Sequence, residues 1–355
     1  MSFAEMHNHA CFPHNGERIG SGKEEPVRTA VTVSALALAT LVIGSATVHA
    51  SPAAHASSAP SHTSATSTAK KPAKGDPTSP PTPPPPPVVA PDPLVHGTDI
   101  KTISYGSHVR QRMDVWYQSD GLTRPGIFVI HGGWWSSGDK KLMTAVSQSY
   151  AELGYTVFNI NYRLSTDAPW PAQRTDTLDA IATARRHAPL WGFDPNNYVV
   201  VGFSAGGHLS TAVGTYKDGL PGLRGVVGIS PVVSPMTAYT EGAESPDANK
   251  RKLRTAAIKL AGGCGPAKCP KIWASMEVPL HASRRDAPVL TAHSEDEFVS
   301  VEHSLQLKTR LRQVGVDMTV LTEPGTGHSA PLYRMPGLAE QVQDWIADRL
   351  FEPTG

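Results

Sequence analysis

From residue 94 onward, short runs of β-branched and aromatic residues alternate with stretches in which apolar residues recur every three or four positions. Apolar runs bounded by turn residues predict buried strands, and the helical spacing predicts helices that bury one face. Strands are expected at 99–105 and 112–118, paired as a hairpin, and then at 126–130, 156–162, 198–202, 225–229, 288–292 and 317–321. Helices are expected at 140–153, 171–187, 205–216, 301–314 and 336–349, the last with Leu338, Val342, Trp345 and Ile346 on one face. Strands alternating with helices imply an α/β fold, a mostly parallel eight-stranded sheet covered on both sides. Ligands on such sheets bind beyond the carboxyl ends of the strands, so the loops after these runs are where chemistry belongs.

The pattern is different before residue 94. Residues 29–46 are apolar, follow Lys23 and Arg28, and lead to Val48-His49-Ala50 before Ser51. This is the layout of a secretory leader, so residues 1–50 are expected to be an N-terminal extension and signal peptide. An uncleaved N-terminal anchor is the alternative, because the run approaches the length of a membrane span. His7, His9, Cys11 and His14 are residue types that bind metals, but they precede the leader in a segment without periodicity, and no metal site is read there. Residues 51–93 are dominated by Ser, Thr, Ala and Pro and contain no Phe, Trp or Tyr, which predicts a disordered linker. The remaining 94–355 suits one large domain in an exported or surface-tethered protein.

Composition adds mainly exclusions. The 32 Lys+Arg against 31 Asp+Glu leave a formal charge of +1, which excludes a strongly basic nucleic-acid binder. A multi-pass membrane protein is excluded too, and no membrane partner is implied beyond the possible anchor.

Two loops carry candidate chemistry. The expected strand at 198–202 runs into Gly202-Phe203-Ser204-Ala205-Gly206-Gly207 and then a helix. Gly-x-Ser-x-Gly between strand and helix is the pattern of a nucleophile elbow, in which small neighbours allow a sharp turn that lifts the serine hydroxyl out. After the strand at 126–130 comes His131-Gly132-Gly133-Trp134-Trp135, whose backbone N–H groups could stabilise an oxyanion. The candidate donors are Gly133 and Trp134, with Ala205 next to the serine.

A serine nucleophile needs a base, and the base a carboxylate, in the chain order Ser, acid, His. His328, in the glycine-rich loop Pro324-Gly325-Thr326-Gly327-His328-Ser329, is the candidate base. His303, within an expected amphipathic helix, is expected to be solvated instead. For the acid, Glu295, Asp296 and Glu297 compete in the loop His293-Ser294-Glu295-Asp296-Glu297-Phe298-Val299. Asp296, three residues before Val299, is taken as the acid, with Glu295 next.

With these residues in place the chain resembles the α/β-hydrolase superfamily, and within it the carboxylesterases of the hormone-sensitive-lipase-like and feruloyl-esterase-like groups. The resemblance rests on the two loops above, on Asn161-Tyr162-Arg163-Leu164, on Pro171-Ala172-Gln173 with Asp176, on Asp296 with Val299, and on Pro324-Gly325 through His328. It implies a serine esterase acting on small-molecule esters, with Ser204, Asp296 and His328 as triad and no metal or organic cofactor. Asp176 and Arg163 match positions that are structural. Trp134 stands where a third glycine is common, a variation shared with relatives resembling aryl formamidases, so formamide or small-amide hydrolysis on the same triad is the alternative. The usual His-Gly before the acid loop reads Ala292-His293, which leaves His293 without a part. A noncatalytic binding module on the same fold is the alternative of a different class.

Residues 230–287 are longer than a plain crossover needs and are expected to form a small cap over the pocket. Cys264 and Cys269 lie within this insertion, and in an exported protein they are expected to form a disulfide. Trp135, with Trp134, is a candidate substrate-lining residue, whereas His208, one turn into the elbow helix, is expected to be buried and satisfied.

Overall fold

A computed structural model describes residues 97–351. The expected leader, the linker and the His7, His9, Cys11 and His14 group lie outside the described residues.

The hairpin forms as expected, with β1 (Thr98–Ser104) antiparallel to β2 (Arg112–Gln118). The next elements are β3 (Arg124–Ile130), α1 (Thr144–Glu152), β4 (Thr156–Ile160), α2 (Ala172–Arg186), β5 (Phe193–Phe203) and α3 (Ala205–Gly214). After β6 (Leu223–Ile229) come α4 (Pro235–Glu241), α5 (Ala248–Leu260) and α6 (Pro270–Met276), all within the insertion. The chain continues as β7 (Val289–Ser294), α7 (Glu302–Gln313), β8 (Met318–Glu323), α8 (Ala330–Tyr333) and α9 (Leu338–Phe351).

The strands form one sheet in the order β1-β2-β4-β3-β5-β6-β7-β8. β2 meets β4 antiparallel, and every pairing from β4 to β8 is parallel. Side chains alternate across a strand, so each central strand feeds two cores. Phe128, Ile130, Phe158 and Val200 join one core with Ile181 and Ala184 of α2, Leu209 and Val213 of α3, and Leu307 and Leu311 of α7. Ile127, Val129, Val199 and Val201 join the other with Tyr150 of α1 and Leu338, Val342, Ile346 and Leu350 of α9. The four-residue spacing along α9 keeps those side chains on one stripe, each contributing about 1.5–3 kcal/mol by leaving water.

Two differences from expectation matter for the site. β7 runs on through Ser294 rather than ending at residue 292, which moves the start of the loop after it. His303 is fully buried rather than solvated, because it shares the inner stripe of α7 with Leu307 and Leu311 at four-residue spacing.

Candidate active site

Ser204 sits between β5 and α3 with φ 53° and ψ −116°, a backbone state that L residues rarely adopt. The turn closes because its neighbours lack side chains. A Cβ on Gly202 would lie 2.0 Å from the Gly206 carbonyl oxygen, and one on Gly206 would lie 2.3 Å from that of Ile130. The Ser204 N–H donates to the Ile229 carbonyl at 2.8 Å, which fixes the turn to β6. The residue as a whole is 8% exposed, at the sheet's carboxyl end.

His328 reaches Ser204 from the loop between β8 and α8. Its Nε2 is 2.9 Å from Ser204 Oγ, and its Nδ1 is 2.5 Å from Oε2 of Glu297. A carboxylate only accepts, so Nδ1 carries the proton and Nε2 is left to accept from the serine hydroxyl. The loop is held in place by Ser294 Oγ donating to the Gly327 carbonyl at 2.5 Å and by the Ser329 N–H donating to Ser230 Oγ at 2.9 Å.

The carboxylate at the histidine is therefore Glu297, not Asp296. Asp296 is exposed, and its backbone N–H donates to the Gly325 carbonyl at 3.0 Å, making it a strut between the two loops. Glu295 is exposed as well. Because β7 continues to Ser294, the following turn presents Glu297 inward, and the Ser294 N–H donates to Glu297 Oε1 at 3.1 Å. Burial alone would push the Glu297 carboxyl up, but hydrogen bonds from His293 and His328 prevail and hold it below the usual carboxylate range.

The glycine-rich loop lies directly against the elbow: a Cβ on Gly132 would come 2.8 Å from the Phe203 carbonyl oxygen and 3.1 Å from Ser204 Cβ. Gly133, Trp134 and Trp135 all have positive φ, 122°, 59° and 54°. This strained run is tied down by Ser136 and Ser137 N–H groups donating to the Gly133 carbonyl, and by Ser165 N–H donating to that of Trp135. His131 anchors its start, stacked on Tyr162 with ring centroids 4.5 Å apart. Burial pushes the His131 imidazole down to about 4, so it is neutral.

Trp135 does not line the site. It is fully buried, and its Nε1 donates to His208 Nδ1 at 3.2 Å. His208 Nε2 then donates to the Met276 carbonyl of α6 at 2.8 Å, so this neutral histidine joins the loop to the insertion. Burial holds it down to about 4. Trp134 is half-buried and stacks on Phe298 at 5.1 Å, while Phe298 lies 4.2 Å from the His328 ring. Lys252 of α5 stands 4.5 Å over Trp134. Phe298 and Lys252 were not singled out by sequence; Phe298 follows Glu297 directly, an adjacency that the choice of Asp296 as the acid concealed.

In the insertion, Cys264 and Cys269 are disulfide-bonded. Trp273 donates from Nε1 to the Cys264 carbonyl at 2.8 Å, and Trp170 to Ser275 Oγ at 3.0 Å, so both act in packing. A groove of about 780 Å³ between α4, α6 and α7 includes none of Ser204, Glu297 or His328.

The BD-FAE family profile matches residues 113–311, from β2 to the last turns of α7. The chain belongs to the BD-FAE family. Among curated proteins, this BD-FAE chain is 29% identical over 249 residues to "Esterase LipC" of Mycobacterium tuberculosis, covering 65% of this chain and 60% of LipC. It is 39% identical over 114 residues to "Probable carboxylic ester hydrolase LipM" of the same organism, covering 31% of this chain and 26% of LipM. The chain thus spans less than two thirds of the curated relatives it matches. Among solved structures, a truncated carbohydrate esterase from gut microbiota superposes with a TM-score of 0.62 at 22% identity, covering 71% of this chain and 97% of that one. Carboxyl esterase 2 of the mycorrhizal fungus Tuber melanosporum gives a TM-score of 0.59 at 21% identity, covering 72% and 88%. These likenesses establish the α/β-hydrolase fold for this BD-FAE protein.

Proposed function

We propose that the protein is an exported serine carboxylesterase that acts through Ser204, His328 and Glu297. The observation that carries this reading is the continuous contact from Ser204 Oγ through His328 to Glu297, at 2.9 and 2.5 Å, beside a glycine-rich loop. His328 takes the hydroxyl proton as Ser204 attacks the ester carbonyl, and Glu297 stabilises the resulting imidazolium. The N–H groups of Gly133, Trp134 and Ala205 receive the oxyanion, and a single donor of this kind is worth about 10²–10³ in kcat. His328 returns the proton to the leaving alcohol, and water then releases the acid from the acyl-enzyme. The esterase names of the relatives support ester substrates.

The test compares the full chain with Ser204→Ala on aryl esters from acetyl to decanoyl and on a formanilide. Ester turnover that collapses in Ser204→Ala, with an organophosphonate adduct on Ser204 in the parent, supports the reading; faster formanilide turnover reassigns it to amide chemistry. A folded parent that is inert and unlabelled overturns it in favour of a binding module. Export is tested separately by expressing the full chain and locating the activity: activity in the culture medium with an N-terminus at Ser51 supports a cleaved leader, and activity that stays with the cells supports a retained anchor.

A further inference from the structure

We propose that His293 is a positioning residue for this site, the fourth member of a chain that runs Ser204, His328, Glu297, His293. This rests on Glu297 being the triad acid.

His293 is fully buried near the end of β7. Its Nδ1 lies 3.1 Å from the Val299 carbonyl oxygen and 3.2 Å from Glu297 Oε1. Both are acceptors, so Nδ1 carries a proton and points it between them. On the other side of the ring, Nε2 is 2.7 Å from Ser304 Oγ of α7, and the serine hydroxyl donates to it. Ser304 is also fully buried. The Ser304 hydroxyl, donating to Nε2, thus holds the same tautomer that the two acceptors at Nδ1 require, and that tautomer aims a donor at the catalytic carboxylate.

The need for this follows from the residue at the acid position. Glutamate reaches one methylene further than aspartate and has one more rotatable bond, so its carboxylate is less fixed by its own backbone. Oε1 is held by the Ser294 N–H at 3.1 Å and by His293, which leaves Oε2 facing His328. With His293 removed, Oε1 retains the Ser294 N–H alone, and the carboxylate can turn about its last bond. The ring also spans from Glu297 to Val299, so it braces the turn that carries the acid.

A merely buried and satisfied histidine would affect folding but would not act through Glu297. The experiment is a double-mutant cycle on the full chain, with kcat and KM measured for an aryl ester and thermal midpoints recorded for each variant. His293→Leu is expected to lower kcat about tenfold or more with little change in KM. His293→Asn, whose amide can donate from the Nδ1 position, is expected to recover most of that loss. In a Glu297→Ala background, His293→Leu is expected to cost no further activity. Equal losses in both backgrounds, or an Asn variant that is folded but as slow as the Leu variant, would overturn the proposal. If His293→Leu does not fold, Ser304→Ala carries the same cycle: a kcat loss confined to the Glu297 background supports the proposal, and no loss overturns it. Full activity in Glu297→Ala would instead remove the triad reading itself.

Discussion

Glu297 has two oxygens with separate tasks: Oε2 faces His328, and Oε1 is occupied by the Ser294 N–H and His293. Its neighbour Asp296 has the same charge but is exposed and contributes a backbone N–H to the Gly325 carbonyl. On the proposed mechanism, Glu297→Gln removes the charge that stabilises the His328 imidazolium, and it can also reverse the histidine's tautomer. It is expected to lower kcat by on the order of 10³–10⁴. Asp296→Asn keeps the backbone strut and is expected to leave kcat near that of the parent, so the two variants, assayed on one aryl ester, decide which carboxylate acts. Ser204, His328 and the glycine loop were legible in the sequence because each is marked by glycines that the backbone needs. The acid was not, because three consecutive carboxylates have one composition and the direction of the turn selects among them. That direction depends on β7 continuing to Ser294, a length set by pairing of His293 and Ser294 with β8.

At the scale of elements, the buried carboxylate of Asp176 ties α2 to the rest of the domain. It accepts from Arg163 N at 2.8 Å, from Arg163 Nη2 at 2.6 Å and from Gln111 Nε2 at 2.8 Å. Three segments therefore meet at one charge: α2, the loop after β4, and the connection between β1 and β2. Asp176→Ala leaves buried Gln111 without its acceptor, while the partly exposed Arg163 can turn to water, so the substitution is expected to cost about 1–3 kcal/mol in urea unfolding. Its kcat, measured on the folded fraction, is expected to stay near that of the parent, because Asp176 does not touch the triad. The sheet and the helices packed on it were legible because their apolar spacing is imposed by two-sided burial. The interior of the insertion was not: α4 and α6 are seven residues each, too short for a period to be read. His303 belongs with them, since its four-residue spacing to Leu307 and Leu311 placed it on the buried stripe although its residue type suggested solvent.

Across the whole molecule, three buried neutral histidines support the parts that converge on Ser204. His131 anchors the glycine loop, His208 links Trp135 to α6, and His303 accepts the Ser234 N–H at the start of α4. Burial pushes the first two down to about 4 and the third to about 3, below the unperturbed value of about 6.5. As pH falls through about 6.5 the unfolded chain takes up protons that the folded chain refuses, so stability declines until the folded values are reached. Each histidine contributes a slope of up to about 1.4 kcal/mol per pH unit in that window, and the three together up to about 4. Glu297, held below its usual range, adds to the loss once pH drops below the ordinary carboxylate value. Glu277, raised by burial, opposes it by binding a proton more readily when folded. Urea unfolding between pH 7 and pH 5 is therefore expected to show a steep fall in stability toward acid. His303→Asn offers an acceptor near the Nδ1 position without titrating, and is expected to remove about a third of the slope between pH 6.5 and 5. An unchanged slope would mean that His303 is not neutral in the fold.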